Sequence, residues 1–209
     1  MRGVPFVIAS GVLAAAPLFS PPRTGGIGAP ALPSGPVWIQ GLLVADISAA
    51  GEVTKTTIIH APGPIGPAMA SAVAGWPFAA AIEDGARVGA PVLVAAIVRP
   101  PSFPDLVGFG AAMEGSSRVP RDVPAPIDVQ APAYPPLAVG NGVVVIEISV
   151  DADGKSAMVV PLTPASGFDA AAIEAARQWT FRPAERNGVN VPGCVYVMFG
   201  FVSPVANLR

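Results

Sequence analysis

The residues of this chain that could do chemistry are few and scattered. It has one histidine, His60, and one cysteine, Cys194, among 209 residues. A hydroxyl or thiol nucleophile needs a base within hydrogen-bond reach, oriented by a third group. No nucleophile-elbow pattern supplies that arrangement. Cys194 has apolar, strand-like neighbours, the setting of a small buried hydrophobe and not of a thiolate stabilised by a nearby base. A single cysteine also excludes an intrachain disulfide. Asp151, Asp153 and Gly154 are similar to the start of a calcium loop, but the remaining ligand positions are missing. No His, Cys or carboxylate cluster suits a metal, and no glycine pattern forms a phosphate-cradling loop. The residues therefore give no catalytic group, no metal site and no cofactor, and the chain reads as a binding protein and not an enzyme.

Composition narrows the partners. Hydrophobic residues make up 52% and charged residues 12%, enough apolar material for packed cores and too little charge for a disordered chain. The net charge is −2 and no Lys/Arg cluster appears. Nucleic acid would need a basic stripe, and a membrane-surface patch would need a polybasic run. Residues 1–20 hold a basic residue, Arg2, followed by an apolar stretch. It is shorter than the about 20 residues of a membrane span and suits a signal-peptide core. It fits a cleaved signal, a short uncleaved anchor associated with the inner membrane, or the tail of a longer span whose start lies upstream. All three direct the chain to export.

The elements are organised by an internal repeat. Trp76 in GWPFAAAIEDGARV and Trp179 in QWTFRPAERNGVNV stand 103 positions apart. At the same spacing Gly51 matches Gly154, Phe78 matches Phe181, Ala81 matches Ala184, Gly85 matches Gly188, and Val92 and Val94 match Val195 and Val197. The chain divides into copies at residues 37–99 and 131–204. Residues 21–36 and 100–130, rich in Pro and Gly, read as linkers.

Each copy has the order strand, strand, helix, strand. In the second, residues 143–150 alternate at their end, with Ile146, Ile148 and Val150 on one face and Glu147 and Ser149 on the other. Asp151-Ala-Asp-Gly154 is a hairpin turn, since Gly accepts positive φ. Residues 155–162 return as a second strand. Ser166 and Asp169 suggest a capping box for an alanine-rich helix over 169–179. Pro183 stops the helix, Asn187-Gly188 is a turn, and residues 194–202 are the last strand, with Val195, Val197, Phe199 and Phe201 on one face. Arg177 and Arg182 read as solvated. The first copy repeats this with strands at 42–47, 52–59 and 92–98 and a helix over 67–76. The expected fold is α+β, two tandem small domains, each a three-stranded antiparallel sheet with one helix. His60 faces Thr163 in the repeat, so nothing requires an imidazole there.

The second copy resembles the TonB C-terminal domain. It opens with YPPLA (Tyr134, Pro135, Ala138), continues with IEISVDADGK, then FDAAAIEAARQWTFRPAERNGVNV, and closes on an apolar strand ending at Phe201. The first copy is a degenerate relative: it keeps Trp76, Phe78 and Gly85, has no Tyr-Pro opening, and carries Ala80 where the second has Pro183. The resemblance implies a periplasmic protein, inner-membrane anchored or free, linked to transport across the outer membrane. Its implied partner is an outer-membrane receptor peptide, or another envelope protein, bound by strand addition to a sheet edge. The partner-binding edge it implies is Cys194, Val195, Tyr196, Val197, Met198, Phe199, Gly200 and Phe201. Tyr134, Pro135, Ala138, Gly154, Trp179, Phe181, Pro183, Ala184 and Gly188 are its structural motif residues. The alternative is an envelope structural or assembly protein that uses the fold without energy transduction.

Overall fold

The computed structural model describes residues 18–25, 27, 39–99, 113, 115–165 and 167–203. Its elements in chain order are β1 (Phe19–Ser20), β2 (Ile39–Ile47), β3 (Val53–His60), α1 (Ile65–Ala74), β4 (Ala81–Glu83), β5 (Ala86–Val88), β6 (Ala90–Arg99), β7 (Ala125–Asp128), β8 (Gly142–Val150), β9 (Ser156–Pro161), α2 (Asp169–Arg177), β10 (Thr180–Arg182), β11 (Ala184–Arg186), β12 (Val189–Val191) and β13 (Gly193–Phe201). The class is α+β. The turns carry the sequence signals read above. Asp151 Oδ1 accepts from the N–H groups of Asp153 and Lys155 at 3.0 and 2.9 Å, and Ser48 Oγ does the same for Ala50 and Glu52 at 3.2 Å each. The carboxylate that looked like a calcium ligand thus closes its own turn. Asp84-Gly85 and Asn187-Gly188 all have positive φ, the requirement of a type I′ hairpin.

The main sheet has six strands in the order β3-β2-β6-β13-β8-β9. The two expected three-stranded sheets are therefore joined edge to edge, by parallel pairing of β6 with β13 from Leu93↔Val195 to Arg99↔Phe201. The other pairings in this sheet are antiparallel. Short hairpins β4–β5 and β11–β12 and the pair β7–β10 lie outside it.

One residue of register decides where the helices go. Partners across β6 and β13 are 102 positions apart, whereas matched positions of the halves are 103 apart. Neighbouring partners point to the same face and successive residues alternate, so matched side chains point to opposite faces. Accordingly α1, through Ile65, Met69 and Val73, packs on the face of Val92, Val94, Cys194 and Tyr196. The second helix, through Ala172 and Ala176, packs on the opposite face with Leu93, Val195, Val197 and Phe199.

Each half has a second face that its own helix does not cover. On the first half, Met113, Val119 and Val123 fill it, in one cluster with Leu42 and Val44. On the second half, residues 22–24 lie over Tyr196 and Ile27 packs against the same cluster. The described parts of the two stretches read as linkers are thus built into the fold, β7 included. Phe19–Ser20, at the end of the stretch read as signal or anchor, pairs with β4. The rest of that stretch, residues 1–17, and residues 28–36 and 100–112 lie outside the described residues, as does Ser166 of the expected capping box. Asp169 caps differently, accepting from Ala165 N–H at 2.8 Å.

Candidate functional site

The residues proposed from sequence as an exposed edge form the middle of the sheet. There β13 is paired along its length with β8 on one side and from Val195 to Phe201 with β6 on the other. Every residue of it is buried. The edge that Cys194, Val195, Tyr196, Val197, Met198, Phe199, Gly200 and Phe201 were expected to present is therefore filled, and the correction has a simple cause: the last strand of the first half takes up its unpaired N–H and C=O groups. A signal for this was present. Cys194, Tyr196 and Met198 are apolar as well as their alternating neighbours, and a strand apolar on both faces is a strand covered on both faces. The outer strands of the six-stranded sheet are β3 and β9.

Tyr196 sits at the centre of the junction. Its ring meets Trp76 and Phe78 of the first half edge-on, with centroids 5.8 and 5.7 Å away. Its hydroxyl accepts from Thr24 N–H at 3.2 Å and lies within donor reach of the Pro22 carbonyl at 3.3 Å and Glu147 Oε2 at 3.2 Å. Burial pushes the phenol's pKa upward, so it stays a neutral donor. Beside it, burial raises Cys194 to about 12, so the thiol is inert.

Two ion pairs flank the junction. Arg186 Nε and Nη2 meet the two oxygens of Glu83 at 3.2 and 3.1 Å, and the same guanidinium lies 4.7 Å from the Phe19 ring centroid, within cation–π range. Arg23 donates to Glu147 Oε1 at 3.2 Å and to Ser149 Oγ at 3.0 Å. Glu147 is 4% exposed. Burial raises its pKa, and Arg23 and the Tyr196 hydroxyl oppose that rise. The alternation that put Glu147 on the outer face of β8 was sound, but the arm at residues 22–24 buries that face.

Residues 130–202 match the family model of the Gram-negative bacterial TonB protein C-terminal. The TonB C-terminal match thus falls on the second half of the chain. No curated protein and no solved structure matches the chain.

The motif residues of the TonB-type half hold its turns and core. Tyr134 donates to Gly140 O at 2.7 Å and stacks edge-on against Phe168 at 5.7 Å. A turn from Pro135 O to Ala138 N closes this opening segment at 3.1 Å. Trp179 donates through Nε1 to Gln130 O at 2.9 Å and meets Phe199 edge-on at 5.9 Å, closing the core against the sheet. Phe181 N–H donates to Gly154 O at 2.8 Å. Gly154 has φ +82°, and a Cβ there would collide with the Phe181 carbonyl oxygen. A Cβ on Gly51 would likewise meet the Phe78 carbonyl oxygen, which explains why glycine recurs at this turn in both halves. Ala184 is buried beside Pro183, and Gly188 turns the β11–β12 hairpin.

Arg182 was read as solvated and is not. Its guanidinium donates to the carbonyls of Val119, Pro120, Arg121 and Val123 at 3.1, 2.9, 3.3 and 3.4 Å, so it fastens the stretch before β7 to the TonB-type half. Nothing in the spacing of residues signals a side chain whose partners are backbone carbonyls some sixty positions earlier. His60 ends β3 opposite Leu42. Thr163, its match, accepts from Val145 N–H at 2.8 Å. Among the described residues no helix is long and apolar enough to cross a membrane, and no three His, Cys, Asp or Glu side chains could hold a metal together.

Proposed function

We propose that this protein works on the periplasmic side of the Gram-negative envelope, in a process linked to transport across the outer membrane. In this reading it derives from two TonB-type units, it binds a protein partner, and the first unit permanently occupies the strand-addition edge of the second. The TonB C-terminal match of residues 130–202 supports the setting. The observation that carries the binding mode is the pairing of β6 with β13. An extended partner segment then has to add at an outer edge, β9 or β3, each of which has a strand neighbour on one side only among the described residues. On β9 the exposed Met158 and Val160 offer apolar contacts. The same filled edge favours a second reading, an envelope assembly protein that uses the fold without energy transduction.

Titrating the full chain with peptides from the N-termini of outer-membrane receptors, followed by amide NMR, separates these. The binding reading expects saturable shifts in residues 156–161 or 53–60 and none in 194–201. Shifts centred on 194–201 would overturn the assigned binding mode. No shift at millimolar peptide would favour the assembly reading.

A further inference from the structure

We infer that the junction between the halves is a selective pairing surface, whose charges accept a first half against a second half and reject like against like. Glu83 and Arg186 occupy matched positions, 103 residues apart, and contact each other. Two units that pair through their last strands bring together the matched positions that lie at the junction between them, and Glu83 and Arg186 lie there, since they touch. A like pair of second halves therefore sets Arg186 against Arg186, and a like pair of first halves sets Glu83 against Glu83.

The second ion pair makes the same distinction. Arg23 lies on the arm ahead of the first half and reaches Glu147 of the second. The positions matched to them are Ala125, which pairs with Arg182 as Arg23 pairs with Ala79, and Val44. Glu147 in a like pair of second halves would be buried beneath Ala125 with no guanidinium to meet it. In a like pair of first halves Arg23 would be aimed at Val44. A buried carboxylate without its partner is strongly unfavourable, and apposed like charges suppress the wrong partner. The backbone pairing of β6 and β13 is indifferent to which half it joins, so the side chains carry the choice. The partner this surface fits is the complementary half, from the same chain or by reciprocal exchange with a second copy.

The test uses the full chain carrying a protease site within residues 100–112. The folded protein is cut, unfolded in urea, refolded, and its paired fragments are identified by native mass spectrometry. First–second pairs are expected, with like pairs at least about tenfold below their statistical share. In the same assay Glu83→Arg should lower re-pairing about tenfold, and the double exchange Glu83→Arg with Arg186→Glu should bring it back toward the wild-type level. Restoration by the second change distinguishes lost selectivity from a simple failure of Glu83→Arg to fold. Like pairs at the statistical share would overturn the inference. So would fragments that fail to re-pair, a Glu83→Arg chain that pairs like wild type, or a double exchange no better than the single one.

Discussion

Trp76 of the first half stands edge-on to Tyr196 of the second, with ring centroids 5.8 Å apart and planes at 72°. The residue that resemblance would place on an open binding edge is thus held inside the molecule by the first half's own aromatic. Trp76 is 5% exposed, and Trp76→Ala should cost about 3–5 kcal/mol. Tyr196→Phe keeps the ring packing but leaves Thr24 N–H and Glu147 short of a partner, and should cost about 1–3 kcal/mol. Urea denaturation followed by tryptophan fluorescence and far-UV dichroism measures both.

Glu147 makes stability depend on pH. Its folded pKa lies above the ordinary carboxylate value, chiefly because it is buried. The folded state therefore holds its proton more tightly than the unfolded state does. This group's contribution is full below the unfolded value, about 4.3, and is lost as pH rises through the folded value. Arg23→Met removes the cation that opposes the rise, so the loss should extend to higher pH and deepen at neutral pH. Denaturation midpoints of both proteins across the acid-to-neutral range provide the check. A pH dependence unchanged by Arg23→Met would contradict the assignment.

Cys194 should report on the opening of the junction. It is 1% exposed and its thiol is raised to about 12. Labelling by a thiol reagent at neutral pH requires both exposure and thiolate, so modification should proceed only through opening of β13. The labelling rate should rise in Trp76→Ala, about tenfold for each ~1.4 kcal/mol by which opening becomes easier. Fast labelling of the wild-type protein would mean that the strand is accessible.

Two glycines separate strain from collision. Gly188 has φ +78° with open space where a Cβ would go, whereas a Cβ on Gly154 meets the Phe181 carbonyl oxygen. Gly188→Ala should cost about 1–2 kcal/mol, the left-handed penalty alone. Gly154→Ala adds a backbone collision and should cost about 2–4 kcal/mol. Equal thermal shifts would contradict the packing described for the β8–β9 turn.

Much of this fold was legible in the residues. The Asp-Gly and Asn-Gly turns, the alternation of Ile146, Ile148 and Val150, and the matched Trp76 and Trp179 describe local structure, which follows from neighbours in sequence. What was not legible is how the units meet. The parallel register of β6 on β13 is a long-range pairing set by a one-residue offset, and periodicity within either strand does not encode it. Arg182 and the residue 22–24 arm escaped for a related reason: their partners are carbonyls and buried groups far away in the chain. The candidate site changed most, because the apolar alternation of the last strand was read on one face only, while Cys194, Tyr196 and Met198 had already marked the other as covered.

The most direct test of the filled edge is amide hydrogen exchange along residues 194–200 of the full chain. In a strand, successive N–H groups point to opposite neighbours, so an edge strand exchanges every second amide quickly. With β8 on one side and β6 on the other, all of these amides should fall in the slowest-exchanging class. Fast exchange at alternate positions would show that β13 is open, and that the strand-addition edge is available after all.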